Sequence, residues 1–324
     1  TLTRHHFPSD LAVRVCPGCG DYTVLAAFQG LSQLLGIRRE NTVIVSGIGC
    51  SSRFPYYVDS YGMHSIHGRA PAIATGVATA RDDLAVWVVT GDGDALSIGG
   101  NHLIHALRRN VNMTILLFNN RIYGLTKGQY SPTSELGKVT KSTPYGSLDT
   151  PFNPVSLALG AEASFVARSI DSDRKHLTSV LRAAIEHRGA SLVEIYQNCP
   201  IFNDDAFEDL KGPRAEETLI RLTQGEPITW GTENPRALIR KADGDLAIVR
   251  QFLKAQGYPD DAVELGQLGV ADTRSREYAS QTGGPRFILT QTVNVRTNDV
   301  DRVQTTTRSL NDLVRQGVVL QDFQ

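Results

Sequence analysis

The sequence lacks the features that would assign it to several broad classes of protein. Its 324 residues carry a net charge of −1, with 33 basic and 34 acidic side chains, so no overall field favours a nucleic-acid partner. No apolar run approaches the roughly 20 residues that a membrane-spanning helix needs. Residues 1–8 contain no apolar stretch of the kind that a secretory signal carries. We therefore expect a cytoplasmic protein with neither nucleic acid nor membrane as a partner.

Cysteine is scarce, at four residues, and its placement is more informative than its number. Cys16 and Cys19 form a C-x-x-C pair, while Cys50 and Cys199 stand alone further along the chain. So few thiols in a large chain that we expect in the cytoplasm argue against a disulfide framework. Four thiolates can hold either a [4Fe–4S] cluster or a structural zinc ion, and their spacing alone does not decide between the two.

The composition, with 41% hydrophobic and 21% charged residues, is ordinary for a folded protein with a full core. Up to about residue 205, short apolar runs alternate with helical stretches. The runs predict strands at residues 42–46, 85–90, 113–118 and 191–196. The stretches between them predict helices near residues 22–35, 71–80, 100–109 and 174–188. This alternation predicts an α/β fold with a doubly wound, mostly parallel sheet.

Beyond about residue 205 the sequence becomes polar and dense in charge, without cysteine or histidine. It predicts a helix near residues 214–223, a strand at 287–295 and a final helix near 307–316. We therefore expect two parts, residues 1–205 with the candidate chemistry and residues 206–324 as an extension that serves packing or subunit contact.

Two polar segments follow neighbouring predicted strands. Gly91-Asp92-Gly93-Asp94 comes after the second strand, and Asn119-Asn120 comes after the third. A glycine-rich turn lets backbone N–H groups approach a phosphate, and carboxylate and amide oxygens are the ligands that Mg²⁺ prefers. Each segment alone is a common turn sequence. Together, at the same edge of a parallel sheet, they favour a site for a metal ion and a diphosphate.

This arrangement resembles the thiamine diphosphate motif, which begins with G-D-G and ends about thirty residues later with N-N. The resemblance implies a thiamine diphosphate-binding fold of the diphosphate-binding type. It also implies Mg²⁺ ligation by Asp92, the Asn120 side chain and the Ile122 carbonyl. The residues expected to line the cofactor are Ile48, Gly49, Cys50, Ser51, His67, Gly91, Gly93, Asp94, Gly124 and Leu125.

The segments around the cysteines narrow the resemblance to one family. They are C-P-G-C-G-D at 16–21, G-I-G-C-S-S at 47–52, H-G-R-A-P-A at 67–72, N-N-R-I-Y-G-L-T-K-G-Q-Y-S-P-T-S at 119–134 and N-C-P at 198–200. In this order they resemble the β subunit of 2-oxoacid:ferredoxin oxidoreductases, most of all the 2-oxoglutarate branch. The resemblance implies one [4Fe–4S] cluster on Cys16, Cys19, Cys50 and Cys199. Cys50, at a strand end beside the expected diphosphate, favours the cluster over zinc, because only a redox group there could take electrons.

The resemblance also implies the reaction and the partners. These enzymes convert a 2-oxoacid and coenzyme A to acyl-CoA and CO₂, passing electrons through the cluster to ferredoxin, or run the reaction in reverse as reductive carboxylation. An α-type subunit would supply the glutamate that activates the cofactor, so we expect this chain to be inactive alone and to assemble as (αβ)₂. His67 is a candidate polar contact or proton donor to the cofactor, while Lys127 and Arg53 are candidate contacts for substrate anions.

Three other interpretations remain open from the sequence. The first is a pyruvate-specific or broad 2-oxoacid enzyme of the same family, since the pyruvate enzymes share most of these motifs. The second is a non-redox thiamine diphosphate enzyme with a structural zinc. The third is a non-catalytic scaffold stabilised by zinc, in which the G-D-G and N-N segments are plain turns.

Overall fold

The computed structural model describes residues 7–211, 215, 219–222, 229–230, 236–237, 249–272, 287–310 and 312–313. The chain divides into two compact units, Thr1–Thr218 and Leu219–Gln324. The boundary predicted after residue 205 lies shortly before this division. Within the described ranges, no helix is both long and apolar enough to cross a membrane.

The first unit is built on a six-stranded sheet in which every neighbouring pair of strands is parallel. The strands are β1 Thr42–Ser46, β2 Tyr61–His64, β3 Ala85–Gly91, β4 Met113–Asn119, β7 Phe165–Ile170 and β8 Ala190–Tyr196. Their order across the sheet is β2-β1-β3-β4-β8-β7. A short antiparallel hairpin, β5 Ile122–Tyr123 and β6 Gln129–Tyr130, lies in the loop that follows β4. The predicted doubly wound α/β fold is confirmed.

Helices cover both faces of this sheet, which explains why its central strands are mostly apolar. The helices are α1 Asp21–Leu34, α2 Ala70–Ala80, α3 Asp92–Leu96, α4 Gly100–Arg109, α5 Pro154–Gly160 and α6 Arg174–Glu186. On β4, Ile115 and Leu117 join the hydrophobic cluster formed with α2, α4 and α5. The alternate residues Leu116 and Phe118 join the cluster formed with α1 and α6. Successive side chains point to opposite faces of a strand, so a strand buried on both faces is apolar at most positions, and a charged residue within it, such as Glu194 on β8, must have a partner.

The four predicted strands and four predicted helices are present within one or two residues of their expected bounds. The two edge strands, β2 and β7, were not predicted. All four residues of β2 are exposed, and β7 is mostly half-buried, so neither strand has the continuous apolar run that marks the central ones.

The second unit contains two antiparallel pairs, β9 Thr229–Trp230 with β10 Arg236–Ala237 and β11 Val263–Asp272 with β12 Phe287–Val295. The strand predicted at 287–295 is confirmed. Of the helix predicted near 214–223, Ala215 is helical and residues 219–222 have no regular structure, while its other positions lie outside the described residues. Of the helix predicted near 307–316, the part at 307–309 is the end of a helix that begins earlier, α7 Val300–Ser309, and residues 312–313 are also helical; positions 311 and 314–316 lie outside the described residues.

Candidate active site

The carboxyl ends of β1, β3, β4 and β8 lie side by side, because these strands are neighbours in a parallel sheet. Ser46 at the end of β1 is level with Val89 on β3, and Asn119 at the end of β4 is level with Tyr196 at the end of β8. Each strand is followed directly by one of the segments singled out in the sequence. The fold therefore gathers the G-I-G-C, G-D-G, N-N and N-C-P segments at one edge, where open α/β sheets bind their ligands.

Asp92 begins α3 directly after β3, and only 2% of the residue is exposed. Two hydroxyls of the long loop after β4 approach its Oδ2: Ser131 Oγ donates at 2.5 Å and Thr133 Oγ1 lies 2.6 Å away. Burial raises the pKa of Asp92 to about 6, although hydrogen bonds from the two hydroxyls and from backbone N–H groups lower it. This carboxylate suits a metal ion, because a divalent cation would stabilise its charged form in a site that water does not reach.

The two asparagines at the end of β4 differ in what they bind. Asn119 is buried and its Nδ2 donates to Glu194 Oε1 at 2.7 Å. Asn120 is half-buried, and its Oδ1 accepts from the N–H of Ile122 at 3.2 Å. Its backbone carbonyl accepts from Asn203 Nδ2 at 2.9 Å. Asn119 is thus engaged within the fold, whereas the Asn120 amide oxygen keeps a lone pair for a metal ion.

A chain of hydrogen bonds continues from Asp92 into the sheet. Thr133 Oγ1, next to Asp92, also lies 2.9 Å from Asn119 Oδ1. Asn119 contacts Glu194, and Arg168 Nε on β7 donates to Glu194 Oε2 at 2.6 Å. Glu194 has no solvent exposure, so its charge depends entirely on these partners. This series of contacts ties the end of β4 and the long loop to the interior of the sheet.

Glycine is required at two points of this edge, because neighbouring side chains occupy the space of a Cβ. A Cβ on Gly47 would lie 1.7 Å from Asp94 Oδ2, and one on Gly93 would lie 2.2 Å from Tyr123 Cε1. Tyr123 Oη donates to the Gly93 carbonyl at 2.9 Å. The segments after β1, β3 and β4 are therefore packed against one another at these glycines.

Asp94 is buried and holds a neighbouring turn in place. Thr90 Oγ1 donates to its Oδ2 at 2.6 Å, and the N–H of Gly68 donates to its Oδ1 at 2.7 Å. His67 Nδ1 lies 2.6 Å from the same Oδ1, and the His67 side chain is 37% exposed. His67 is thus fixed by Asp94 at the edge of the site while part of its ring faces solvent. The diphosphate contact predicted for Asp94 stays a prediction.

The four cysteines lie beside this loop region. The N–H of Cys19 donates to the Cys16 carbonyl at 3.0 Å in the turn before α1. Cys50 follows β1, and Cys199 follows β8. A Cβ built on Gly124 would lie 3.5 Å from Cys50 Sγ and 3.8 Å from Cys199 Sγ. The loop that carries the predicted magnesium ligands therefore runs directly past two of the thiols.

Effects on the pKa values of the thiols link Cys16 and Cys19 to Cys50 and Cys199. Burial, first of all, and the charges of Asp21, Cys199 and Cys16 together raise the pKa of Cys50 to about 11. Burial and the Asp21 carboxylate also raise the pKa of Cys19. The pKa of Asp21 itself is raised to about 6 by burial. Burial therefore favours the neutral thiol form of Cys19 and Cys50, and a bound iron or zinc ion would stabilise their thiolate form.

The remaining residues expected to line the cofactor lie around the same edge. Ile48 and Leu125 are 42% and 56% exposed, whereas Ser51 is buried. Gly49 has a φ of +138°, which glycine tolerates and other residues rarely adopt. Gly91 is the N-cap of α3. These residues are placed together, and their individual roles stay predictions.

The two candidate substrate contacts are placed differently. Lys127 is exposed and its N–H donates to the Gly124 carbonyl at 3.0 Å, so it lies on the loop beside the thiols. Arg53 is also exposed, and its Nη1 donates to the Arg14 carbonyl at 2.9 Å. Its charge lowers the pKa of Cys50, against the larger effect of burial. Arg53 therefore acts on the cysteine side of the site in this structure.

Several residues of the site were not predicted from the sequence. Ser131 and Thr133 belong to the S-P-T-S stretch at 131–134, but nothing in that stretch shows that its hydroxyls are buried against Asp92. Asn203 and Gln197 lie beside Cys199 without a distinctive pattern. Glu194 did give a signal, because a carboxylate inside the apolar run S-L-V-E-I-Y must have a partner.

Comparison with protein families gives a match at residues 47–195 to the thiamine pyrophosphate enzyme, C-terminal TPP binding domain. The matched range contains the G-D-G and N-N segments. The chain is 70% identical over 238 residues to the 2-oxoglutarate oxidoreductase subunit KorB of Mycobacterium tuberculosis, covering 74% of this chain. The match spans 64% of the length of that relative.

Two further comparisons cover more of the related chains. The chain is 45% identical over 229 residues to the 2-oxoacid:ferredoxin oxidoreductase subunit beta of a Sulfolobus species, covering 70% of this chain and 75% of that protein. A solved structure of 2-oxoglutarate:ferredoxin oxidoreductase from Magnetococcus marinus, with 2-oxoglutarate, coenzyme A and succinyl-CoA bound, superposes with a TM-score of 0.65 and 35% identity. This superposition covers 87% of the present chain and 97% of the other.

Proposed function

The chain belongs to the β subunits of the 2-oxoacid:ferredoxin oxidoreductases, and on this premise we propose that it works with a partner subunit in the oxidative decarboxylation of 2-oxoglutarate. Coenzyme A is the co-substrate, succinyl-CoA and CO₂ are the products, and ferredoxin takes the electrons. The same site would serve reductive carboxylation in the reverse direction.

One observation carries this proposal. A Cβ built on Gly124 would lie within 3.8 Å of the Cys50 and Cys199 sulfurs, and Gly124 stands two residues beyond Ile122, a predicted magnesium ligand. A cofactor held by the loop and a cluster held by the thiols would therefore be neighbours. An enzyme that moves electrons from one to the other needs this proximity, and a decarboxylase without redox chemistry does not.

Asp92, Asn120 and the carbonyl of Ile122 would hold Mg²⁺, and Gly91, Gly93 and Gly124 would line the diphosphate. Thiamine diphosphate, when bound, supplies a carbon nucleophile and an electron sink for the decarboxylation of a 2-oxoacid. The donor set fits this cofactor, because the buried carboxylate and the amide oxygen are hard oxygen ligands. Ser131 and Thr133 would hold the Asp92 carboxylate in position for the metal ion.

The four cysteines would hold one [4Fe–4S] cluster. In the described part of the chain, which includes all four, no three cysteine, histidine or acidic side chains are close enough to hold one metal ion. A zinc ion with bonds of about 2.3 Å to each sulfur needs a tighter set of thiolates. A cluster binds each thiolate to a different iron and so accepts sulfurs that lie further apart. The place of Cys50 at the end of β1, beside the proposed diphosphate site, supports the cluster over zinc, because only a redox group there could take electrons from the cofactor.

The preference for 2-oxoglutarate rests on two of these similarities. The Mycobacterium tuberculosis relative and the Magnetococcus marinus structure are both named for 2-oxoglutarate. A broader 2-oxoacid specificity is the second candidate, because the Sulfolobus relative is named for 2-oxoacids in general. Lys127, His67 and Arg53 are the residues of this chain that we propose for substrate and cofactor contacts.

The partner would be an α-type subunit that contributes the activating glutamate, in an (αβ)₂ assembly. The six-stranded sheet corresponds to one cofactor-binding domain, and the family model matches only this region. We therefore propose that the chain alone does not turn over substrate.

The first experiment is anaerobic purification of the chain, followed by iron, sulfide and zinc analysis and a visible spectrum. About four irons and four sulfides per chain, with a broad band near roughly 400 nm, are expected. Stoichiometric zinc without colour would refute the redox mechanism and leave a thiamine enzyme with a structural metal.

The second experiment measures CoA-dependent ferredoxin reduction by the complex with its α-type subunit, with 2-oxoglutarate and pyruvate compared in parallel. Asp92→Asn should abolish turnover by weakening Mg²⁺ binding. Asp149→Asn is the matched control, because Asp149 is exposed and contacts only the Tyr130 hydroxyl among its described hydrogen-bond partners. Equal rates with both acids would favour the broad specificity, and full activity of Asp92→Asn would refute the assignment of the metal site.

A further inference from the structure

The side-chain amide of Gln197 contacts Cys19, a predicted cluster ligand, directly. Gln197 follows β8 and is 2% exposed. Its Nε2 donates to Cys19 Sγ at 3.1 Å and to Asp21 Oδ1 at 2.9 Å. An amide nitrogen carries two hydrogens, so Gln197 can make both hydrogen bonds at once.

The position of this amide is fixed by its surroundings. The backbone N–H of Gln197 donates to the Asn119 carbonyl at 3.0 Å, which extends the pairing of β8 with β4. A Cβ on Gly20 would lie 2.6 Å from Gln197 Cγ and 2.2 Å from Asp171 Oδ2. Glycine after the second cysteine of C-P-G-C-G therefore leaves the space in which the Gln197 side chain reaches Cys19.

The same amide also contacts a buried carboxylate, that of Asp21. This carboxylate is 4% exposed, and its Oδ2 is buried without a hydrogen-bond partner. A buried negative charge next to an anionic cluster disfavours the addition of an electron. Within the described residues, Gln197 is the side chain whose N–H groups lie between this carboxylate and the Cys19 sulfur.

We propose that Gln197 is a positioning residue that raises the reduction potential of the cluster by donating a hydrogen bond to the Cys19 sulfur and another to Asp21. This inference rests on the cluster of the proposed function. Reduction adds one negative charge, part of which falls on the ligand sulfurs. A donor N–H therefore stabilises the reduced form more than the oxidised form.

The test is a potentiometric titration of the anaerobically purified chain with dithionite, in which electron paramagnetic resonance measures the reduced cluster. Gln197→Met keeps the length of the side chain but removes both donors. At the wild-type midpoint potential, the ratio of reduced to oxidised cluster should fall at least tenfold in this variant, which corresponds to a midpoint about 59 mV lower. Gln197→Leu should shift the midpoint in the same direction.

Gln29→Met is the matched control. Gln29 is also buried, at 8% exposure, but its amide donates to the Tyr57 carbonyl and not to a cysteine. Its midpoint should equal that of the wild type. Iron and sulfide are counted in every sample before the titration.

Three outcomes would overturn the inference, and they are distinguishable. Unchanged midpoints in Gln197→Met and Gln197→Leu, with full iron content, would show that the hydrogen bond does not set the potential. Loss of the cluster in both variants but not in Gln29→Met would give Gln197 a role in cluster assembly instead. A wild-type chain without iron and sulfide would refute the proposed cluster, and the inference with it.

Discussion

The buried pair of Arg168 and Glu194 gives the sharpest test of how the interior supports the site. Glu194 has no solvent exposure, whereas the Arg168 side chain is 38% exposed. Removing either partner breaks the same 2.6 Å contact, but the group left behind differs. Arg168→Leu leaves the Glu194 carboxylate, which water cannot reach. Glu194→Leu leaves the Arg168 guanidinium, which is partly exposed to water.

The two substitutions should therefore have unequal costs. Arg168→Leu should lower the free energy of unfolding by about 3–5 kcal/mol, because an unpaired buried charge remains. Glu194→Leu should lower it by about 1–3 kcal/mol, which covers the lost hydrogen bonds and an unsatisfied Asn119 Nδ2. The double variant places two apolar side chains together. It should be more stable than Arg168→Leu alone by at least about 1 kcal/mol, because the unpaired charge is gone.

The assay is urea denaturation followed by circular dichroism, with all variants measured at the same pH and salt concentration. The matched control is Arg182→Leu, which breaks the exposed pair with Glu186 at 2.9 Å. That pair should contribute less than about 1 kcal/mol. If Glu194→Leu destabilises the chain more than Arg168→Leu does, the reasoning from burial is wrong. If the double variant is no more stable than Arg168→Leu, the loss of stability in Arg168→Leu does not come from an unpaired charge.

Three further predictions concern the loops of the site. Thr133→Val removes a hydroxyl from Asp92 and should weaken the binding of thiamine diphosphate with Mg²⁺ by about 10–100-fold, measured from the dependence of Tm on cofactor concentration. Gly47→Ala places a Cβ 1.7 Å from Asp94 Oδ2 and should lower the free energy of unfolding by about 1–3 kcal/mol in urea denaturation. Chelation of Mg²⁺ should abolish the rise in Tm that thiamine diphosphate produces, as followed by calorimetry.

The two substitutions each have a control variant, and all three predictions have a contrary result. Thr178→Val removes a hydroxyl from the exposed face of α6, away from the cofactor, and should not alter cofactor affinity. Gly30→Ala adds a Cβ on α1 with no atom within 4 Å, so it should be neutral or stabilising by up to about 1 kcal/mol. Wild-type affinity in Thr133→Val, equal stability of the two glycine variants, or cofactor binding unaffected by chelation would each contradict the corresponding prediction.

The central sheet could be predicted from the sequence because its signal is local. A strand covered on both faces, such as β4, must be a continuous apolar run, and such a run is visible without any knowledge of the fold. The edge strands β2 and β7 carry no such run, since solvent replaces one layer of packing. Their pairing with β1 and β8 depends on residues distant in the chain.

For the site, residue types with distinctive chemistry could be found in advance, and their supporting contacts could not. Asp92 is conspicuous because its G-D-G turn occurs together with the N-N segment, and the cysteines are conspicuous because they are few and two of them form a C-x-x-C pair. Ser131, Thr133 and Gln197 are ordinary polar residues, and their importance comes from burial against Asp92 or Cys19. That burial is a property of the folded chain and leaves no mark on the sequence around them.

The spread of the cysteines along the chain has a consequence for biosynthesis. Cys19 contacts Gln197 across 178 positions of sequence, and Cys199 lies two residues further on. A cluster that needs all four thiolates cannot be completed until the ribosome has made almost all of the first unit. Loop closure over such a distance is slow and entropically costly in an unfolded chain. Under the proposed function, we therefore expect iron to be inserted into a sheet that has already formed, and nascent chains to pass through a metal-free folded stage.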